Sequence, residues 1–117
     1  MNSLVKQLTW ILGSVLTLVG IAGFITGSPL LIFQIDTLHN SIHLLSGIIA
    51  LVAASSGESY SRLYLIIFGI VYGLVTIIGF ITGGSVLGLI TVNTADNYLH
   101  AAITIACLGV GLTAGKK

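Results

Sequence analysis

The chain has 117 residues, 56% of them hydrophobic and 6% charged, with a formal net charge of +1. Soluble domains carry about 25% charged residues, so this composition and a mean hydropathy of +1.13 exclude an ordinary aqueous globule and point to the bilayer. The small net charge excludes an electrostatic nucleic-acid partner, and the one cysteine, Cys107, excludes an internal disulfide.

Taken in chain order, four stretches predict spanning helices. The first runs from about Leu8 to Gly27, after Lys6. It has the outline of a signal peptide, but it recurs later in the chain and so reads as structure. The apolar connector "SPLLIFQI" (28–35) is too short to cross, and after it "DTLHNSIH" (36–43) opens a second span, about Leu38 to Ser56. The third, Leu63 to Gly83, is the cleanest. A second apolar connector, "GSVLGLITV" (84–92), precedes "NTADNYLH" (93–100) and a fourth span, about Ala95 to Gly115. Each approaches the ~20 apolar residues that a helix needs to cross hydrocarbon. Strands are not expected, because long alternating segments are absent and an open sheet edge cannot sit in lipid.

The chain repeats itself. Residues 10–27, "WILGSVLTLVGIAGFITG", align with 66–83, "IIFGIVYGLVTIIGFITG", at eleven of eighteen positions, and 36–43 aligns with 93–100 after one inserted residue. The 117 residues thus read as one membrane domain made of two hairpins, about 8–56 and about 63–115. Each hairpin contributes two spans, which predicts parallel repeats about a pseudo-twofold axis along the membrane normal. Lys6, Arg62, Lys116 and Lys117 all fall on one side, so both ends are expected in the cytoplasm and the connectors outside an inner (plasma) membrane. Trp10, Tyr60 and Tyr64 would anchor the inner interface and Tyr98 the outer one. Glu58 and Arg62, at i and i+4, would pair in the cytoplasmic turn.

Small residues recur at helix-contact spacing: Gly23/Gly27, Gly69/Gly73, Gly79/Gly83, Gly111/Gly115, Ala50/Ala54 and Ala102/Ala106. They suit close helix packing, within the bundle or between copies and other membrane proteins. The connectors would either lie in the interface or fold down over the bundle mouth, and interfacial segments that partly cap the polar phrases are the expectation.

Those phrases divide by chemistry. Asp36 and Asn93, or Thr37 and Thr94, stand where the second and fourth helices start and suit N-caps. Asp96 in a first turn also suits the helix dipole. The histidines need more. His43 and His100 lie roughly 10 Å into their helices, where an ionisable side chain is a functional-site hypothesis by default. His39 and His43 share a face at i and i+4, Asp96 and His100 repeat that spacing, and Asn40 and Asn97 stand close to the same face. In a square bundle with diagonals of roughly 11–14 Å, facing Cα atoms would be about 7–9 Å apart. Two inward imidazoles would then touch or share an ion, whereas haem would need a wider splay. His39 would oppose Asp96 in a charge-assisted hydrogen bond.

Three readings of this cluster compete. One is a hydrogen-bonded plug that sets helix register. Another is a metal site of His39, His43, His100 and Asp96, suited to zinc or another first-row divalent ion. The third is proton handling by histidine. Cys107, two turns beyond His100, reads as a packing residue.

The phrases "VGIAGFITG…LHNSIHLLSGIIAL" and "VTIIGFITG…VNTADNYLHAAITI" resemble the small bacterial four-helix membrane proteins grouped as domain of unknown function 4383. The resemblance covers about Leu8 to Gly111 and rests on the Gly-Phe hairpin ends, His39-Asn40 with His43, and Val92 through His100. It implies an integral membrane protein of four helices and brings no activity, substrate or cofactor. The expectation is an all-α four-helix membrane bundle from a tandem-duplicated hairpin. It would be a structural or partner-binding component of the bilayer, with a metal-binding or proton-handling role as the alternative. An enzyme is not expected, since no nucleophile stands beside a base.

Overall fold

The computed structural model describes residues 3–114. The expected contact of Gly115 and the anchors Lys116 and Lys117 lie outside that range. Four helices follow one another: α1 (Leu4–Thr26), α2 (Thr37–Ser56), α3 (Glu58–Thr82) and α4 (Thr94–Thr113). α1 and α3 start about a turn before the apolar spans do, because Ser3 accepts the Lys6 amide at 3.1 Å and a single residue, Gly57, separates α2 from α3. α1 and α3 both end at glycines with positive φ, Gly27 (71°) and Gly83 (81°), whose amides return to the carbonyls of Gly23 and Gly79.

Three of the helices, α1, α2 and α3, are long and apolar enough to cross a membrane. α4 is as long as α2 but carries Asp96, Asn97 and His100 in its first two turns. Burial is inverted relative to a soluble protein. Leu18, Val52, Leu74 and Ile105 are all more than half exposed, while Thr9, Ser46, Ser61 and all three histidines are buried. That is the pattern of a protein whose outer surface meets lipid.

α1 packs chiefly on α2 and α3 chiefly on α4, and α3 also touches α1 and α2. Glycine makes the hairpin contacts close. A Cβ at Gly47 would run into the Thr17 backbone nitrogen, one at Gly20 into the Leu44 backbone, and one at Gly69 into Leu108 and Cys107. Of the expected small-residue pairs, Gly69/Gly73 and Ala50/Ala54 face neighbouring helices. Gly27 and Gly83 do not: they cap helix ends with nothing near them. Ala102 is on the exposed side of α4.

Two further expectations are corrected. Tyr64 does not anchor an interface; it turns inward and its hydroxyl donates to the Ser46 carbonyl at 2.9 Å. Arg62 does not reach for Glu58; its guanidinium donates to the carbonyls of Gly111 and Ala114, which the end of α4 leaves without helical partners. The connectors turn back on themselves over the bundle. Residues 84–92 form a small antiparallel hairpin, β1 (Ser85–Val86) with β2 (Ile90–Thr91), and Val86, Ile90 and Val92 fold down onto Ile42, Val75 and Ile78. Leu30 and Phe33 close the same turn in the first connector through reciprocal 2.9 Å bonds. These turns satisfy backbone groups that an apolar setting would otherwise strand.

Gly47→Ala is expected to lower the detergent melting temperature, at a cost of about 1–3 kcal/mol for overpacking. Gly109→Ala, whose Cβ meets open space, should leave the temperature unchanged or raise it; equal effects at the two positions would refute the close approach of α1 and α2.

Candidate functional site

The connector end of the bundle is organised by two helix starts. Asp36 is the N-cap of α2, its carboxylate accepting the His39 amide at 2.7 Å. Asn93 is the N-cap of α4 and forms a capping box with Asp96. Thr37 and Thr94 are therefore first helical residues, not caps. The second carboxylate oxygen of Asp36 accepts the amide of Thr91, from the other connector, at 2.7 Å. In return Asp96 Oδ2 accepts the amide of Gln34 at 3.1 Å, and Asn93 Nδ2 donates to the Ile32 carbonyl at 2.8 Å. Each connector is thereby held by the helix start that follows the other. Burial opposes ionisation of Asp36, but the amide bonds from His39 and Thr91 outweigh it and hold the carboxyl below its ordinary value. Its stabilising contribution is complete above the ordinary pKa of 3.8 and is lost only as pH falls further, through the folded value.

Behind these caps lie the three imidazoles, each 1% exposed. Their ring centroids are 4.5 Å apart for His39–His43, 5.4 Å for His39–His100 and 5.7 Å for His43–His100. One ring nitrogen from each lies within 4.8 Å of the other two. Among the described residues no Cα of α2 comes within 8 Å of one in α4, so the imidazoles span the gap between the hairpins. His43 Nε2 and His100 Nε2 are 3.4 Å apart, which leaves no slot for a porphyrin between them.

The expected His39–Asp96 hydrogen bond does not form. His39 Nδ1 is instead 3.0 Å from the Thr91 carbonyl. A carbonyl only accepts, so Nδ1 carries a proton, and in the neutral ring Nε2 presents its lone pair. Asp96 stands outside the three-histidine group, since Oδ2 is held by the amides of Asn93 and Gln34. The mismatch between the repeats has a different cause from the one expected. Each helix start supplies one carboxylate to the opposite connector, at the cap position in α2 and three residues later in α4.

Asn40 and Asn97 take matching places, their side-chain oxygens against Gly23 and Gly79, where a Cβ would collide with them. Several buried polar atoms find no hydrogen-bond partner among the described residues: His39 Nε2, His43 Nδ1, His100 Nδ1, Asp96 Oδ1 and the Asn40 and Asn97 oxygens. Sequence reasoning missed Thr91, which contributes only backbone atoms. It also missed Tyr72, whose ring lies 5.5 Å from that of His100 and whose hydroxyl bonds Ser46. A tyrosine in an apolar helix gives no sign of which neighbour it will reach.

With this geometry in hand, comparison with known proteins decides the family. Residues 6–113 match the family described as Domain of unknown function (DUF4383). The chain belongs to that family. No curated protein and no solved structure matches it. In this DUF4383 member the two histidine-bearing phrases, 36–43 and 93–100, meet at the connector end.

The His39 tautomer is directly measurable. Nitrogen-15 NMR of neutral His39 should show a protonated Nδ1 and a bare Nε2; the opposite assignment would remove the Thr91 contact from the site.

Proposed function

We propose that this protein is a four-span membrane protein of two duplicated hairpins that binds a first-row transition ion, zinc foremost, through His39, His43 and His100. One separation carries the reading. At 3.4 Å, His43 Nε2 and His100 Nε2 are far apart for an N–H hydrogen bond. Two nitrogens each ~2.0–2.1 Å from one tetrahedral ion would lie ~3.3 Å apart. His39 adds the third donor with its proton already placed on the far nitrogen, the arrangement in which a backbone carbonyl orients a metal-ligating imidazole.

A purely structural plug accounts for the site less well. Each buried polar atom without a partner costs about 1–3 kcal/mol, and a plug that fixed register would satisfy its own hydrogen bonds. An ion takes up the unpartnered His39 Nε2 lone pair and replaces the long His43–His100 contact with two coordinate bonds. Three histidines leave a tetrahedral ion one further position, for water. The distribution of Lys6, Arg62, Lys116 and Lys117 supports a site toward the outer face, and in this reading α4 is the fourth span, its polar first turns sheltered by the other helices.

Metal analysis of protein purified in mild detergent is expected to return about one zinc per chain. His43→Ala and His100→Ala should each reduce it at least tenfold. Zinc at 100 times its Kd should raise wild-type stability by about 2.7 kcal/mol. Protein that neither retains nor takes up zinc, copper, nickel or iron, with no thermal shift from any of them, would overturn the metal reading.

A further inference from the structure

Each imidazole is 1% exposed, so no ion or solute reaches the ring nitrogens unless part of their cover moves. The helices are poorly suited to that motion, because glycine holds each hairpin at close backbone contact. The remaining cover is the two connectors, and they are tied down differently.

The first connector is fixed at two residues. The Ile32 carbonyl accepts from Asn93 Nδ2 at 2.8 Å, and the Gln34 amide donates to Asp96 Oδ2 at 3.1 Å. It leaves α1 through Gly27, Ser28 and Pro29, whose ring fixes φ. The second connector, among the described residues, is hydrogen-bonded to the other hairpin at Thr91 alone. It leaves α3 through two successive glycines, Gly83 and Gly84, and at neither would a Cβ meet an atom within 4 Å. Between these points it is one unit. β1 pairs with β2, the Leu89 amide returns to the Val86 carbonyl at 2.9 Å, and the Val92 amide returns to the Gly84 carbonyl at 3.2 Å. Its apolar contacts with Ile42, Val75 and Ile78 oppose opening only weakly, because lipid hydrocarbon replaces them without exposing apolar surface to water. A segment that keeps its own bonds, with glycines at one end and a single cross-tie at the other, moves as a lid.

That cross-tie also orients a ligand. Thr91 donates its amide to Asp36 Oδ2 at 2.7 Å, and its carbonyl lies 3.0 Å from His39 Nδ1. Swinging the connector away removes the acceptor that keeps a proton on Nδ1 and leaves Nε2 to face the other imidazoles. We propose that residues 84–92 form a lid over the histidine site, hinged at Gly83 and Gly84 and latched by Asp36 at Thr91, and that closing it presents His39 Nε2 to the ion. The lid stands on the geometry alone; its coupling to the ion rests on the metal reading above.

The two carboxylates provide a charge-matched test. Asp36 gives one oxygen to the His39 amide and the other to Thr91, so Asp36→Asn, with one acceptor left, keeps the cap and loses the latch. Asp96 takes both of its amides on Oδ2, so Asp96→Asn keeps both on its carbonyl oxygen. On metal-free protein in detergent, Asp36→Asn should speed carbethoxylation of His39 by diethyl pyrocarbonate at least tenfold, and Asp96→Asn less than threefold. Equal rates in the two variants would overturn the lid. Wild-type protein tests it without any substitution: the Thr91 amide should exchange with deuterium at least tenfold faster than the Gln34 amide. A Gln34 amide that exchanges as fast as that of Thr91, or faster, would overturn the lid as well. Zinc should slow Thr91 exchange at least tenfold, and Asp36→Asn should weaken zinc binding at least tenfold. Bound zinc with Thr91 exchange unchanged would overturn the coupling and leave the lid. Protein that binds no metal would overturn the metal reading and the coupling together, while labelling and exchange still decide the lid.

Discussion

The exchange of carboxylate–amide bonds between the two halves fixes everything else at the connector end. Asp36 holds Thr91, and Asp96 holds Gln34, so each apolar connector is bound to the helix start of the other hairpin. One residue, Thr91, is gripped at both backbone atoms, its amide by Asp36 and its carbonyl by His39. The cap that starts α2 therefore also positions the strand that orients the first imidazole. A neutral side chain at position 36 would weaken a helix start, a connector and a tautomer together, because one carboxylate serves all three.

The rest of the bundle makes such a polar centre possible. Lipid supplies no hydrophobic drive for helix association, so backbone contact through Gly13, Gly20, Gly47 and Gly69 holds each hairpin together. The close hairpins leave α2 and α4 facing each other with no Cα pair within 8 Å among the described residues. Histidines fill the gap, with Tyr64 and Tyr72 bracing Ser46 beneath them.

Much of this was legible in the sequence. Hydropathy places the four helices, and the spacing of His39, His43 and His100 brings three imidazoles to one end. The partners of those residues were not legible, for physical reasons. Thr91 and Gln34 act through backbone atoms, which every residue possesses, so no letter marks them. Asp96 reads as a ligand because a carboxylate can bind either a metal or an amide, and only the fold reveals that two amides reach it. The second glycine of each "GFITG" has packing spacing but lies just past the helix end, where a left-handed turn is needed. Arg62 has an acidic neighbour at i+4 spacing and still prefers the bare carbonyls at the end of α4.

At the opposite end, α2 passes into α3 through Gly57 alone, at a φ of 129°. One residue gives the two hairpins a pivot and almost no slack. Any relative motion becomes that of a lever about 30 Å long, the length of a twenty-residue helix. A swing of about 5° around Gly57 displaces the α2 imidazoles by roughly 2 Å on such an arm, about ten times the ~0.2 Å tolerance of a metal–ligand bond. The carboxylate latches sit at the far tip of that lever, where a given force resists rotation best.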